Sequence, residues 1–541
     1  MLEESTILLP HATLMAAVFL ILVLGRFFDS KAIWGPTCLI AILISGAFLA
    51  STEWVELMPH QAAMQLPIIQ DRLAISFQWM CLVLGLAFVL MSFGENGQSN
   101  TTSERFALLL LILVGMMLVA IANDLIVVYL AVELVGLSMS ALLLLASSRR
   151  EIEGHLMEQN QLSSQAGTVC QVNSVTDGWN VYDQSATNFF MLNVLASAVI
   201  LYGFCFLYGL AGTTNLTGIR NVLVASYQPS ELILPIDAGS RLGFVSLVLV
   251  FAGFGFKISL VPFQFGTLDV YEETSAWHCG LLGVLFKGAG FFALARVLAN
   301  TTAGFSETVQ LLALILAGTT MIFGSVMALL ESRVRRLLAY LTISQTGFLL
   351  IGLAVAFSNL ERLQPKVQFG WKLPGGEQAA MFFLSTYSLA VTGLVAVLVY
   401  LARRDREVEF VEGLAGLKRS EPVATGCAVL FLLSLSGVPP LPGFWSHLFV
   451  LLSCLNVYAK SSITKVVVPH LGFVVLALLA VLNLVLTATV ALRLIKAMVL
   501  DDPIARPQPA GGRVALAVAV VAALLTAGIA ASPSSVLDLW K

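Results

Sequence analysis

Charge is scarce in this sequence: only 11% of its 541 residues are Asp, Glu, Lys or Arg, and the net charge is −3. Soluble domains carry roughly a quarter charged residues, so this scarcity excludes an ordinary soluble enzyme. The small net charge gives no argument for binding nucleic acid or an acidic partner. With 58% hydrophobic residues and a mean hydropathy of +0.90, the chain is predicted to be a polytopic membrane protein.

Paired cysteines are also absent. The seven cysteines are scattered along the chain with no Cys-x-x-Cys pair among them. This spacing excludes an iron–sulfur or zinc site of the usual kind, because such sites draw their ligands from closely spaced cysteines. We therefore expect this chain to bind no metal and no cofactor of its own.

Apolar runs long enough to cross about 30 Å of hydrocarbon predict 14 transmembrane helices. An all-α fold follows, because backbone polar groups in lipid must be satisfied within each helix. The runs lie near residues 12–28, 33–51, 73–93, 106–122, 124–146, 187–210, 242–265, 279–299, 308–330, 337–357, 379–401, 422–457, 469–497 and 513–531.

The seventh and twelfth of these spans contain helix breakers. Pro262 follows Lys257 closely, and the stretch 434–445 holds three prolines, each of which lacks a backbone donor and clashes with the preceding turn. Broken spans in corresponding places of two halves indicate inverted repeats around a transport path. The predicted domains are three N-terminal helices in 1–105, a first five-helix repeat in 106–299, a second in 308–497, and a last helix in 513–541.

The one long polar stretch runs from Ser147 to Ala186 and is rich in Gln, Ser, Asn and Gly. It shows no helical periodicity, so residues 147–186 are predicted to form a loop. When the loops alternate across the membrane, Lys and Arg favour the face that carries this stretch, and that face is predicted to be cytoplasmic. Both termini are then predicted to lie outside.

Three ionisable residues lie inside apolar spans: Lys257, Lys287 and Glu133. A basic side chain near the bilayer centre costs about 2.5–3.5 kcal/mol on insertion scales, so such residues usually mark a path for protons or ions. Burial favours the neutral form of a lysine, whereas a nearby carboxylate favours the charged form. Movement of Glu133 relative to Lys257 would therefore work as a switch. The alternatives are a static ion pair and, for Lys287, a side chain that reaches towards the membrane surface.

The stretch GFKISLVPFQFGTLDVYEETSAWHCGLLGVLFKGAGF, residues 255–291, resembles the signature of the antiporter-like membrane subunits of respiratory complex I, the N-type subunit in particular. Residues 208–216, 337–352 and 436–451 resemble other segments of that family. Lys257 and Lys287 fall on two family lysines, and Glu133 matches a family glutamate that pairs with the first of them. His447 stands where the family usually has a lysine.

The resemblance implies a proton-translocating subunit N of a bacterial NADH-quinone oxidoreductase in the inner membrane. It implies that Glu133, Lys257, Lys287 and His447 carry the proton, driven from a distance by quinone reduction. NADH, FMN, iron–sulfur clusters and quinone would belong to partner subunits, and the membrane neighbours would be of the M, K, J and A types.

Several residues depart from the family pattern. Gln184 and Asn188 replace an acidic residue and a lysine before the sixth span, and residues 272–275 replace a glycine-proline loop.

Two other functions stay open: a subunit of a multi-chain cation/proton antiporter or membrane hydrogenase, and a complex I scaffold that does not pump. His447 has an open alternative as well, since a histidine near a helix break can simply bond free carbonyl groups. Hydroxyl and amide side chains of the tenth and eleventh spans could hold a water chain, although helix–helix contact is the favoured interpretation for each. They are Tyr340, Thr342, Ser344, Gln345, Thr386, Tyr387 and Ser388.

Overall fold

Helices account for every predicted apolar span in the computed structural model of the protein, and no strand is formed within the part that the structure describes. The all-α prediction is therefore confirmed. The described residues are 2–28, 30–52, 66–93, 102–164, 182–226, 238–301, 306–356, 374–402, 409–464, 470–502 and 512–540.

The helices are α1 Leu2–Leu24, α2 Lys31–Thr52, α3 Arg72–Ser92, α4 Thr102–Ile121, α5 Leu125–Ser164, α6 Tyr182–Ala211, α7 Leu216–Ser226, α8 Ala238–Lys257, α9 Phe265–Glu273, α10 Ala276–Thr301, α11 Ser306–Leu330, α12 Val334–Ala356, α13 Gly376–Leu401, α14 Pro422–Leu435, α15 Pro442–Thr464, α16 His470–Val499, α17 Arg513–Ala531 and α18 Pro533–Leu539. Two short turns, Val411–Leu414 and Leu417–Ser420, precede α14.

Twelve of the described helices are long and apolar enough to cross a membrane, so the predicted total of 14 spans is not confirmed. The two remaining predicted spans are the ones with helix breakers. The seventh is divided into α8 and α9, and the twelfth into α14 and α15. Both predicted breaks are thus confirmed. The helices end there because proline lacks a backbone N–H and clashes with the preceding turn.

The polar stretch 147–186 was predicted to be a loop, and this prediction is wrong for its two ends. Helix α5 continues to Ser164, and α6 begins at Tyr182. The segment after residue 150 is rich in Glu, Leu, Met and Gln, which are good helix formers. Helix propensity therefore extends α5 there, although the sequence has no apolar periodicity that would predict a helix. Residues 165–181 lie outside the described part of the chain.

Helices α10 and α12 occupy the centre of the bundle. Of their most apolar stretches, 94% and 100% of the residues are buried, against 28% in α1 and in α17. Two residues singled out from the sequence, Lys287 on α10 and Thr342 on α12, therefore lie on the two most buried helices.

The two breaks share one backbone arrangement. Ser259 and Gly437 both take left-handed φ angles, of 57° and 71°. Around each lies the same series of backbone hydrogen bonds, residue for residue. The pairs are Ile258 N–Phe254 O with Ser436 N–Leu432 O, Leu260 N–Gly255 O with Val438 N–Leu433 O, and Phe263 N–Leu260 O with Leu441 N–Val438 O. By this correspondence Lys257 occupies the place that Leu435 occupies in the second break.

The connections before α5 and α12 also match. Leu125 N bonds Thr214 O while Leu216 N bonds Asn123 O, and in the second half Val334 N bonds Glu409 O while Val411 N bonds Ser332 O. The helices α5 and α12 start at Leu125 and Val334, so Glu133 and Thr342 are each the ninth residue of their helix. The partner of one lysine and the partner of the other thus occupy equivalent positions.

The second break depends on a glycine. A Cβ on Gly443 would collide with the backbone carbonyl of Ser434, whose hydroxyl also accepts a hydrogen bond from Gly443 N. We expect Gly443→Ala to destabilise the chain by at least about 1–3 kcal/mol, because the obstacle is backbone. Gly426→Ala on α14 is the control, since a Cβ there meets nothing within 4 Å. The thermal midpoint of the solubilised protein measures both changes, and equal midpoints would contradict the prediction.

Candidate functional site

Lys257 is the last residue of α8, at the first break, and only 1% of its surface is exposed. Its ammonium group donates hydrogen bonds to Asn193 Oδ1 at 2.9 Å and to Ser197 Oγ at 3.1 Å. It lies 3.5 Å from Glu133 Oε1 on α5. The structure therefore brings together Lys257 and Glu133, as the sequence predicted, and adds two neutral oxygen acceptors to the ion pair.

Asn193 and Ser197 were not predicted as site residues. They lie one turn apart on α6, and the Ser197 hydroxyl donates to the Asn193 carbonyl at 2.9 Å, which leaves its lone pairs for the lysine. Their fully buried polar groups inside an otherwise apolar span were the available signal. A buried ammonium ion needs such acceptors, because an unpaired charge in an apolar interior is very costly.

Lys287 lies on α10 directly after a π-helical segment, Leu282–Phe286. It is 4% exposed, and its Nζ donates to Thr342 Oγ1 on α12 at 2.9 Å. Thr342 in turn donates to the Ala339 carbonyl at 2.8 Å, so its lone pairs face the lysine. Among the described residues no carboxylate lies within ion-pair distance of Lys287, in contrast to Lys257.

The two lysines lie on neighbouring segments. A Cβ on Gly290 of α10 would lie 3.1 Å from Lys257 Cβ, so α10 passes directly against the end of α8. Lys257 Nζ lies 6.0 Å from the ring centre of Phe286, the residue before Lys287. The predicted step from the first lysine to the second is therefore short in space, although 29 residues lie between them in the sequence.

His447 lies on α15 in a different environment. It is 3% exposed, and its Nδ1 shares a hydrogen bond of 2.6 Å with the Gly443 carbonyl. Phe348 and Phe383 flank its ring, with centroids at 4.5 and 4.8 Å. Within the described part of the chain, no direct contact joins His447 to Lys287.

The predicted polar side chains between them divide into separate groups. Thr342 binds Lys287, and Tyr387 donates to the Gly283 carbonyl of α10 at 2.7 Å. Ser344 instead pairs with Asn483 of α16 at 2.9 Å, and Gln345 donates to the Leu435 carbonyl at 3.0 Å. Lys257 and Lys287 therefore each bind acceptors of their own, whereas aromatic rings flank His447.

This arrangement holds two basic side chains in the protein interior, with an ion pair at one and a hydroxyl at the other. It can hold and transfer protons by small movements of α5, α8 and α10, because each lysine has a defined acceptor. In the described ranges no three His, Cys, Asp or Glu side chains lie together as metal ligands would.

A family model described as "NADH:quinone oxidoreductase/Mrp antiporter, TM" matches residues 172–472, more than half of the chain. NADH-quinone oxidoreductase subunit N of Paramagnetospirillum magneticum is 28% identical over 95% of this chain and 92% of its own length. F(420)H(2) dehydrogenase subunit N of Methanosarcina mazei is also 28% identical, over 100% of this chain and 96% of its own length.

Among solved structures, a chain of respiratory complex I from Thermus thermophilus superposes with a TM-score of 0.70 at 24% identity. The match covers 98% of this chain and 99% of that one. At this identity the match shows a shared fold.

Proposed function

Because the chain belongs to the NADH:quinone oxidoreductase/Mrp antiporter membrane family, we propose that it is the proton-translocating subunit N of a bacterial NADH-quinone oxidoreductase. One observation carries the proposal: an ion pair between Lys257 and Glu133, buried where α8 breaks. A charged pair in an apolar interior is weak evidence for stability alone, since apolar side chains often stabilise such a position better. Its retention at a helix break fits a moving part.

The switch follows from the contacts of Lys257. While Glu133 stays close, the ammonium form is favoured, and when Glu133 withdraws, only the neutral oxygens of Asn193 and Ser197 hold it. The amine then releases a proton towards the neighbouring Lys287, which accepts it at Nζ, so that charge moves and no bond other than N–H is made or broken. Return of Glu133 favours reprotonation of Lys257. His447 is the proposed acceptor on the way out.

We also propose the predicted domains: 106–299 and 308–497 as two inverted five-helix units, with 1–105 and 513–541 outside them. The matched hydrogen bonds at the two breaks and before α5 and α12 support this division. The second unit has Leu435 and Thr342 where the first has Lys257 and Glu133. In this proposal the first unit contains the switch.

The chain is a membrane protein, and its partners are proposed to be the other membrane subunits of the complex, of the M, K, J and A types. NADH, FMN, iron–sulfur clusters and quinone are assigned to those and the peripheral subunits. The bacterial inner membrane, with both termini outside, is the proposed location. The archaeal relative's name gives F(420)H(2) as a second candidate electron donor.

The test is purification of the complex that contains this chain, followed by reconstitution in liposomes. We expect NADH oxidation with a quinone to acidify or alkalise the lumen in sodium-free buffer, and a protonophore to abolish the change. Identification of the co-purified chains shows which electron donor module is attached.

Two other results would replace this function. Sodium-dependent proton exchange without any electron donor would indicate an antiporter subunit, which the family description includes. A normal proton-to-electron ratio after His447→Ala and after Lys257→Arg, together with loss of the complex when helices are deleted, would indicate a scaffold.

A further inference from the structure

His278 is a buried titratable side chain that the proposed switch does not use. It lies in the first turn of α10, nine residues before Lys287 on the same helix, and is 4% exposed. Its Nδ1 shares a hydrogen bond of 2.7 Å with the Ser275 hydroxyl, and its Nε2 is buried. This histidine therefore lies just beneath the turn that joins α9 to α10.

That turn reaches the membrane surface. Asp269 on α9 is 60% exposed, and Glu272 is 27% exposed. Arginines of α12 hold the turn in place: Arg336 pairs with Glu272 at 2.9 Å, and Arg335 donates to the Thr274 carbonyl at 2.6 Å. The charged groups near His278 are Asp269, Glu272 and Glu273 of α9, Arg333 just before α12, Arg335 and Arg336 of α12, and Arg105 of α4, which lies 5.2 Å from the Trp277 ring.

Tyr271 stands between His278 and Lys287. Its side chain is fully buried, and its hydroxyl oxygen lies beside Thr342 of α12 without a well-formed hydrogen bond to a described residue. A Cβ on Gly283 would lie 2.6 Å from that oxygen, so the hydroxyl packs against α10 at Gly283. With a rise of 1.5 Å per residue, Gly283 is about 7.5 Å along the axis from His278 and about 6 Å from Lys287.

An unpartnered buried hydroxyl indicates a place for water, because buried polar groups are almost always bonded. The π segment Leu282–Phe286 lies at the same level, and such segments are frequent at functional sites. One water on each side of the Tyr271 hydroxyl would complete a chain from the imidazole to the amine of Lys287.

We propose that Ser275, His278 and Tyr271 form a proton-uptake relay that supplies Lys287 from the membrane face carrying the α9–α10 turn. The proposal rests on the proposed function and adds a second route to Lys287, from the membrane face, beside the transfer from Lys257. His278 accepts a proton from surface water at one ring nitrogen and releases one from the other. The Tyr271 hydroxyl takes up that proton through water and gives its own to the neutral amine of Lys287. One proton enters and one N–H bond forms at Lys287. The imidazole ends as its other tautomer and the Tyr271 hydroxyl ends with its hydrogen turned, so rotation of the ring and of the hydroxyl resets the relay before the next proton.

The experiment uses the whole complex in liposomes with this face outward. We expect His278→Leu and Tyr271→Phe each to slow proton-coupled quinone reduction by about 10²-fold or more, the usual contribution of a positioned proton-transfer group. Added imidazole should restore activity to His278→Leu and leave Tyr271→Phe slow. His11→Leu, at a buried histidine of α1, and Tyr202→Phe, at an exposed tyrosine of α6, are the matched controls and should behave as wild type.

Lys287→Met is measured in parallel to separate two failures. If Lys287→Met is slow while His278→Leu and Tyr271→Phe are both normal, the relay is wrong and the proposed function stands. If Lys287→Met is also normal, the proposed function itself fails. Tyr271→Phe removes one oxygen only, so it decides the matter even if His278→Leu does not assemble.

Discussion

Replacing Lys257 with arginine is expected to stop proton pumping while the complex stays assembled. Arginine remains charged under all physiological conditions, so the ion pair with Glu133 persists but no proton can be released. We expect quinone reduction coupled to pumping to fall by about 10²-fold or more, the usual contribution of a proton-transfer group. The rate and the proton-to-electron ratio in inverted membrane vesicles measure the effect, and native gels measure assembly.

Glu133→Gln is the complementary change. It keeps the shape of the side chain and removes the charge that alternates, while Lys257 retains Asn193 and Ser197 as acceptors. Assembly should persist and coupling should be lost. Lys257→Met is less informative, because it leaves the Glu133 carboxylate and the oxygens of Asn193 and Ser197 without their donor, whereas in Glu133→Gln the two neutral acceptors still bind Lys257.

A static ion pair makes the opposite prediction. If the pair only joins α5 to α8, Lys257→Arg preserves its function and turnover stays at the wild-type value. Lys418→Arg, at an exposed lysine before α14, is the matched control for the substitution itself. Wild-type rate and stoichiometry in both Lys257→Arg and Glu133→Gln would rule out the switch.

The charged residues of the site could be predicted from the sequence because charge is so rare in its spans. Glu133, Lys257 and Lys287 each interrupt an apolar run, and Pro262 after Lys257 indicates the break. Each of these signals is local. The energetic cost of a buried charge makes such a residue conspicuous without any knowledge of its partners.

The neutral members of the site could not be predicted with the same ease. Asn193, Ser197 and Thr342 look like the many small polar residues that join membrane helices. Only the fold shows that their oxygens converge on the two ammonium groups. For Thr342 the sequence favoured a helix–helix contact, and its bond to Lys287 joins α12 to α10, while a role in proton transfer stays a prediction.

The relation between the two halves was also hidden at the level of side chains. Lys257 corresponds to Leu435 and Glu133 to Thr342, so a comparison of residue types finds little likeness. The backbone hydrogen bonds at the breaks are nevertheless the same. Local geometry set by prolines and left-handed residues is retained where the chemistry differs.

The environment of His447 depends on distant parts of the chain. Its aromatic neighbours Phe348 and Phe383 come from α12 and α13, and nothing near residue 447 indicates them. From the sequence, His447 is predicted to take the place of a family lysine. In the structure its imidazole is buried between two aromatic rings. In the proposed function, a proton that leaves Lys287 for His447 therefore meets two aromatic rings beside the imidazole.

Loss of the Lys287 amine is expected to have the second large effect. Lys287→Met keeps the length and the apolar stem of the side chain and removes the amine that accepts the proton from Lys257 in the proposed switch. We expect coupled quinone reduction to fall by about 10²-fold or more, with assembly retained, because the buried ammonium is replaced by a thioether that suits the interior.

Thr342→Val tests whether the hydroxyl matters to that step. The two side chains have nearly the same shape, and the change removes the acceptor that lies 2.9 Å from Lys287 Nζ. A hydrogen bond to a charged group contributes about 1.5–3 kcal/mol, so coupled turnover should fall by about ten- to a hundredfold. Thr346→Val is the control: its hydroxyl lies one turn further along α12 and donates only to the Thr342 carbonyl. A slow Thr342→Val beside a normal Thr346→Val would assign the effect to the lysine's acceptor. Wild-type turnover in both variants would mean that Lys287 carries its proton without Thr342. Thr342 and Glu133 would then occupy equivalent positions in the fold without sharing a role.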